Sequence, residues 1–222
     1  MAATTTNDNG SSFTFATKDS EPYPEAIKWS QGNAKYEVHV PILKSLDIHD
    51  VVSHCLSVRT KVMSTVGTEA HKGPSLYKVF QRSLSLVLST VWVQINNDAD
   101  TNAAVDNSET LAHFDERIRE FIAAHSTAED RYELVQHLRA ARKPRRTVVQ
   151  SFWYLLREYN SFVDWMPGTE PALNETQLKQ AVHDAMPPPW KERFGNSGKS
   201  IASLTTAEMV QCFRKQEKQA ND

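Results

Sequence analysis

Few residues in this chain are placed to do chemistry. Cys55 and Cys212 are the only cysteines among 222 residues, so neither a disulfide framework nor a CxxC-type zinc cluster can be built, and both are expected as small apolar core residues. Of the eight histidines only His49 and His54 are near neighbours. Their separation of five misses the i, i+4 geometry that sets two imidazoles on one helix face for a zinc ion. The carboxylate pairs Asp115 with Glu116 and Glu158 with Asp164 read as solvent-facing helix charges. No GxGxxG, GxxxxGK[ST] or GxSxG occurs, which removes the common phosphate cradles and the nucleophile elbow. The expectation is a protein that is not an enzyme, with no catalytic residue, no metal ligand and no cofactor.

Two other groups of residues suit surfaces. Arg139, Arg142, Lys143, Arg145 and Arg146 bracket a helix end and Pro144. Cations there complement the helix dipole, and the same five charges can hold nucleic-acid phosphates. Without interleaved aromatic rings such binding is expected to be sequence-blind. Phe152, Trp153, Tyr154, Tyr159, Phe162 and Trp165 crowd one helical segment. Phe152, Tyr159 and Phe162 fit a core stripe, whereas Trp153 and Tyr154 lie off it and need cover, from the same chain or from another subunit. They are the candidate self-association residues.

These groups must be positioned by helices. The composition is 40% apolar and 23% charged, and no stretch reaches the length of a membrane span. The Thr-, Ser- and Asn-rich start has no basic-then-apolar signal pattern, so a cytoplasmic protein is expected. Residues 1–34 read as a disordered or extended arm whose Phe13, Phe15, Tyr23 and Trp29 have the means to dock, and Tyr36 to Leu43 as one short strand or small hairpin strand. Apolar spacing then predicts helices over about 46–66, capped by Asp47 or Ser45, and from Pro74 to beyond Ile95 as one deeply buried helix. A loop over 97–107 should lead to an Asp106/Glu109 cap, and a second helix should enter at a Ser126/Glu129 box. The amphipathic stripe Val148, Phe152, Leu155, Leu156, Tyr159, Val163 should end at Pro167-Gly168. Asn174/Gln177 and Thr205/Glu208 are further reciprocal caps, with Leu173/Leu178 and Leu204/Met209 as staples. About seven helices result, and the fold class is all-α. Its divisions are expected at 1–34, 35–125 and 126–222, giving two small helical lobes. Residues 1–130 carry 11 Lys/Arg against 17 Asp/Glu, and residues 131–222 carry 14 against 10, so the halves differ in sign and suit head-to-tail packing or contact with an anion.

The order of several segments resembles a known family. These are Arg-Tyr-Glu-Leu-Val-Gln-His-Leu (Arg131 to Leu138), Lys143-Pro144, the run from Val148 to Asn160, Met-Pro-Gly (Met166 to Gly168), Leu173 to Leu178, and Ala-Met-Pro-Pro-Pro-Trp-Lys-Glu-Arg-Phe (Ala185 to Phe194). Together they resemble the capsid region of Gag proteins from gypsy-type long-terminal-repeat retrotransposons, including its Ala-Met-Pro-x-x-Trp run. Ser75 to Leu84, with Val91 and Trp92, is similar to a helix of that family's N-terminal lobe. The resemblance covers about Ser75 to Lys218. It implies two helical lobes of the retroviral-capsid kind, a homo-oligomeric lattice closing into virus-like particles, and packaging of retrotransposon RNA. In the family, RNA is held mostly through a downstream zinc knuckle or basic tail, a segment absent from this chain. The rival expectation is a host-adopted Gag-like protein, or an unrelated helical adaptor, binding a partner peptide in a groove between helices.

Overall fold

A computed structural model describes Phe15, residues 24–100 and residues 109–221. Among these are nine helices and one two-stranded sheet. The described residues divide into two compact units: an N-terminal one of residues 24–100 and 109–127 with Trp165–Pro167, and a C-terminal one of Phe15, Ala128–Asp164 and residues 168–221.

The N-terminal unit opens with an antiparallel hairpin of β1 (Glu25–Gln31) and β2 (Ala34–Val40), with Trp29 opposite Tyr36. Strand β1 thus occupies the last part of the segment expected as an arm. Gly32 takes φ +59°, the left-handed conformation that the first central position of a tight II′-type hairpin turn requires. Period-two alternation buries Ile27, Trp29, Val38 and Val40 against the first two helices. The Trp29 indole donates to Ser75 Oγ at 2.8 Å, which satisfies its buried N–H.

Helix α1 (Ile48–Thr65) starts where expected, with the Asp47 carboxylate accepting from the His49 amide at 2.9 Å. The next segment departs from expectation. One long helix from Pro74 is replaced by α2 (Glu69–Arg82) and α3 (Leu86–Asp100), with Pro74 inside α2. The break has a cause outside the helix. The Leu43 amide donates to the Ser83 carbonyl at 2.8 Å, and the Ser85 amide donates to the Leu43 carbonyl at 2.9 Å, so the backbone groups that would carry the helix forward are bonded elsewhere. Gly73 lets the backbone entering α4 pass against α2, because a Cβ there would lie 1.9 Å from the Glu109 carbonyl oxygen. Helix α4 (Leu111–Ala123) is capped by Thr110, whose hydroxyl accepts from the His113 amide at 3.2 Å; Asp106 lies outside the described residues. Phe80, Trp92, Phe114 and Phe121 fill the core edge-to-face, with Phe80 and Trp92 centred 4.6 Å apart. The Arg59 guanidinium grips Asp115 through two bonds of 2.7 and 2.8 Å, tying α1 to α4.

The C-terminal unit holds α5 (Ala128–Arg139), α6 (Val149–Val163), α7 (Glu175–Ala185), α8 (Pro188–Asn196) and α9 (Thr206–Asn221). Leu134, Val135 and Leu138 form the buried face of α5, as their spacing predicts. On α6 the buried face is Val149, Phe152, Trp153, Leu156, Tyr159, Phe162 and Val163, so Val148 belongs to the exterior. Asn174 and Gln177 form the predicted capping box, each side chain bonded to the other's amide at 2.9 Å, with Leu173 and Leu178 buried beside it. Thr205 and Glu208 repeat this at α9, at 2.8 and 3.3 Å. Helix α8 lies between the two helices that the Asn174 and Thr205 caps predict, where no helix is expected. Pro188 and Pro189 occupy its first turn, where an amide hydrogen has no intrahelical acceptor to lose.

Candidate assembly and RNA-binding surfaces

The five-residue basic cluster separates into inward and outward members. Lys143, whose side chain is 5% exposed, pairs with Glu217 at 3.2 Å and lies 5.4 Å from the Trp190 ring centroid. Its amide donates to the Ala185 carbonyl at 3.1 Å. Arg139 faces Glu170 at 3.5 Å, and Arg142 folds back so that Nη1 donates to the Ala141 carbonyl at 2.9 Å. Arg145 and Arg146 sit exposed in the turn before α6, together with the exposed Arg142. The cluster therefore offers a ligand three outward guanidiniums. Lys143 is committed to holding α9 against the entrance of α6, and its charge belongs to the packing of the unit.

Trp153 and Tyr154, adjacent in sequence, part at the surface of α6. Trp153 is 7% exposed, with the Arg157 guanidinium 5.7 Å from its ring, whereas Tyr154 is 61% exposed. A residue step of about 100° along a helix turns one ring into the unit and the other out of it. Of the two, Tyr154 alone presents its ring to solvent. Val148 and Tyr132 are exposed in the same unit.

The N-terminal unit exposes an apolar face that sequence reasoning missed. On α3, Leu86 is 86% exposed, Val87 69%, and Val93 is also on the outside, while Leu88 and Trp92 are buried. The run from Leu86 to Ile95 is apolar nearly all round, a pattern that implies full burial. The split at Ser83–Ser85 directs half of that surface outward. The surplus of apolar residues over what one stripe needs is its sequence signature, which reading the segment as a deeply buried helix concealed.

The buried titratable groups serve the core. His54 Nε2 and Ser83 Oγ are 2.8 Å apart, and the Ser83 hydroxyl donates its one proton to the Phe80 carbonyl at 2.8 Å. His54 is therefore the Nε2–H tautomer, and Nδ1 is buried with no hydrogen-bond partner. Burial, assisted by the positive charge of Lys61, lowers its pKa to about 4. Burial likewise pushes the Cys55 thiol far up. Cys212 departs from its expected core position: it is half-buried, with Lys199 Nζ donating to its sulfur at 3.1 Å. Asp47, His49 and Asp50 bring ligand-type atoms within 4.8 Å of one another, but Asp47 is the cap of α1 and His49 Nδ1 lies 3.3 Å from Asp50. A recess of about 380 Å³ on the hairpin is lined by Lys28, Trp29, Ser30, Lys35, Tyr36 and Glu37; the carboxylate there already pairs with Lys28 at 3.5 Å.

Among the described residues no helix is long and apolar enough to cross a membrane. No protein-family model matches the chain, and neither a curated protein nor a solved structure matches it.

Proposed function

We propose that this chain is a structural Gag-type capsid protein that assembles with copies of itself into particles enclosing RNA. The observation that carries the reading is the set of large apolar side chains left uncovered on both units: Leu46, Leu86, Val87 and Val93 on one, Tyr154, Val148 and Tyr132 on the other. Scattered single apolar residues are ordinary, but adjacent ones on a helix face favour a contact with a neighbour. A second copy is the occupant that the charge pattern suits, since the acidic first half and the basic second half attract each other across a head-to-tail contact. Such a heterologous contact repeats from copy to copy and closes into rings or shells when the rotation allows it. Weak contacts used many times assemble cooperatively through multivalency. Arg142, Arg145 and Arg146 supply positive charge for the RNA backbone. The two-unit helical organisation and the resemblance from Ser75 to Lys218 agree with this reading.

Electron microscopy and light scattering of concentrated protein across salt concentrations, with and without RNA, test it. Regular particles or sheets are expected. A strictly monomeric protein under all these conditions would overturn it.

A further inference from the structure

The C-terminal unit contains a slot filled by one residue from far upstream. Phe15, 5% exposed, lies flat on His137 with ring centroids 4.9 Å apart and planes within 4°. Phe152 and Tyr159 form the other walls, at 5.1 and 5.5 Å. Thr147, itself 2% exposed, donates its hydroxyl to the Phe15 carbonyl at 3.1 Å. The residue that supplies the ring and the residue that receives its backbone are 132 positions apart, with the whole N-terminal unit between them in sequence.

This arrangement has the parts of a peptide site. Three side chains on α5 and α6 shape an aromatic pocket, and a buried hydroxyl reads a main-chain carbonyl. Pocket and hydroxyl together select a phenylalanine in a peptide. The walls belong to α5 and α6, which pack on each other and on α7 and α9 of the same unit. Leu134, Leu138 and Leu156 are fully buried there, on the same two helices. Phe15 adds one ring and one carbonyl to a frame that the rest of the unit builds.

We propose that this slot is a binding site for a phenylalanine-bearing peptide segment, that Phe15 of the chain is its resident ligand, and that the Phe15 segment of a second copy takes the same place when the resident one is absent. The site is independent of the capsid reading: it exists in a single chain, and it requires no lattice.

The test uses the full-length chain carrying Phe15→Ala and a fluorescein-labelled synthetic peptide of residues 9–20. Saturable binding is expected by fluorescence anisotropy, at least tenfold tighter to the Phe15→Ala chain than to the unsubstituted chain, whose own Phe15 competes at high effective concentration. The same peptide with Phe15→Ala should not bind. Adding Thr147→Val to the Phe15→Ala chain preserves the shape of the slot but removes the donor to the ligand carbonyl, and affinity should fall about tenfold. Equal binding to both chains, or no binding to a folded Phe15→Ala chain, overturns the proposal. So does loss of cooperative unfolding on Phe15→Ala, because Phe15 would then be a member of the core instead of an exchangeable ligand.

Discussion

Lys143, in the connection between α5 and α6, and Glu217 on α9 form an ion pair of 3.2 Å, and the same Glu217 carboxylate accepts from the Val149 amide at 3.0 and 3.2 Å. One side chain of α9 thus neutralises a buried ammonium and caps α6, whose own N-cap residue, Val148, has no side-chain acceptor.

Glu217→Ala should therefore destabilise the chain by about 3 kcal/mol, the scale for removing one partner of a buried pair and leaving the other charge uncompensated. Glu217→Gln keeps an acceptor for the Val149 amide and should cost less. Urea unfolding at neutral pH measures both, and equal stability of Glu217→Ala and the unsubstituted chain would show that the pair does not hold the unit together.

His54 makes stability fall in mild acid. The folded chain keeps this imidazole neutral down to about pH 4, while the unfolded chain takes up a proton near 6.5. Between those values the unfolded state binds more protons, so stability is fully present above pH 6.5 and declines by about 3 kcal/mol as pH approaches 4. His125 and His137, also held low by burial, act with the same sign. His54→Gln, which retains a donor for Ser83, should flatten the curve of unfolding free energy between pH 6.5 and 4; an unchanged slope would place the acid sensitivity elsewhere.

Adjacent positions on α6 should respond in opposite ways. Tyr154→Ala is expected to shift unfolding by no more than about 0.5 kcal/mol, as exposed substitutions do, while reducing particle yield. Trp153→Ala should cost about 3 kcal/mol through the cavity it leaves. Leu86→Ser with Val87→Ser on α3 should behave like Tyr154→Ala. Thermal melts paired with sedimentation separate the two effects, and unaltered particle yield in both surface variants would remove these faces from the assembly contact.

Replacing Arg142, Arg145 and Arg146 by Gln should reduce the salt dependence of RNA binding. Each lost phosphate contact lowers the slope of log affinity against log salt by about 0.7 for single strands, so the triple variant should lose up to about 2. Lys143→Gln should act on stability through Glu217. A slope that survives the triple substitution would move the RNA contact to another surface.

How far the sequence could be read depended on how far apart the interacting residues were. Asn174 with Gln177, Thr205 with Glu208, and Asp47 with the His49 amide are contacts within one helical turn, and residue type with spacing was enough to locate them. The apolar face of α5 followed from periodicity for the same reason. The break between α2 and α3 did not, because its cause is Leu43, forty residues upstream of Ser83. Hairpin strand β1 escaped notice because its partner β2 supplies the hydrogen bonds that make it a strand. Within the basic cluster, spacing alone treated five cations alike. Only the fold paired Lys143 with Glu217 and left Arg145 and Arg146 outside.

The amino-acid order by itself determined that the chain is mainly helical and where α1, α6, α7 and α9 begin. Those properties arise from local backbone bonding and from the 3.6-residue period, and both act over a few positions. Tertiary structure decided which apolar side chains are covered, which charges are already paired, and that Phe15 sits against α5 and α6. Burial and pairing are set by which distant segments meet in space, so one side of a helix becomes interior only when something arrives to cover it.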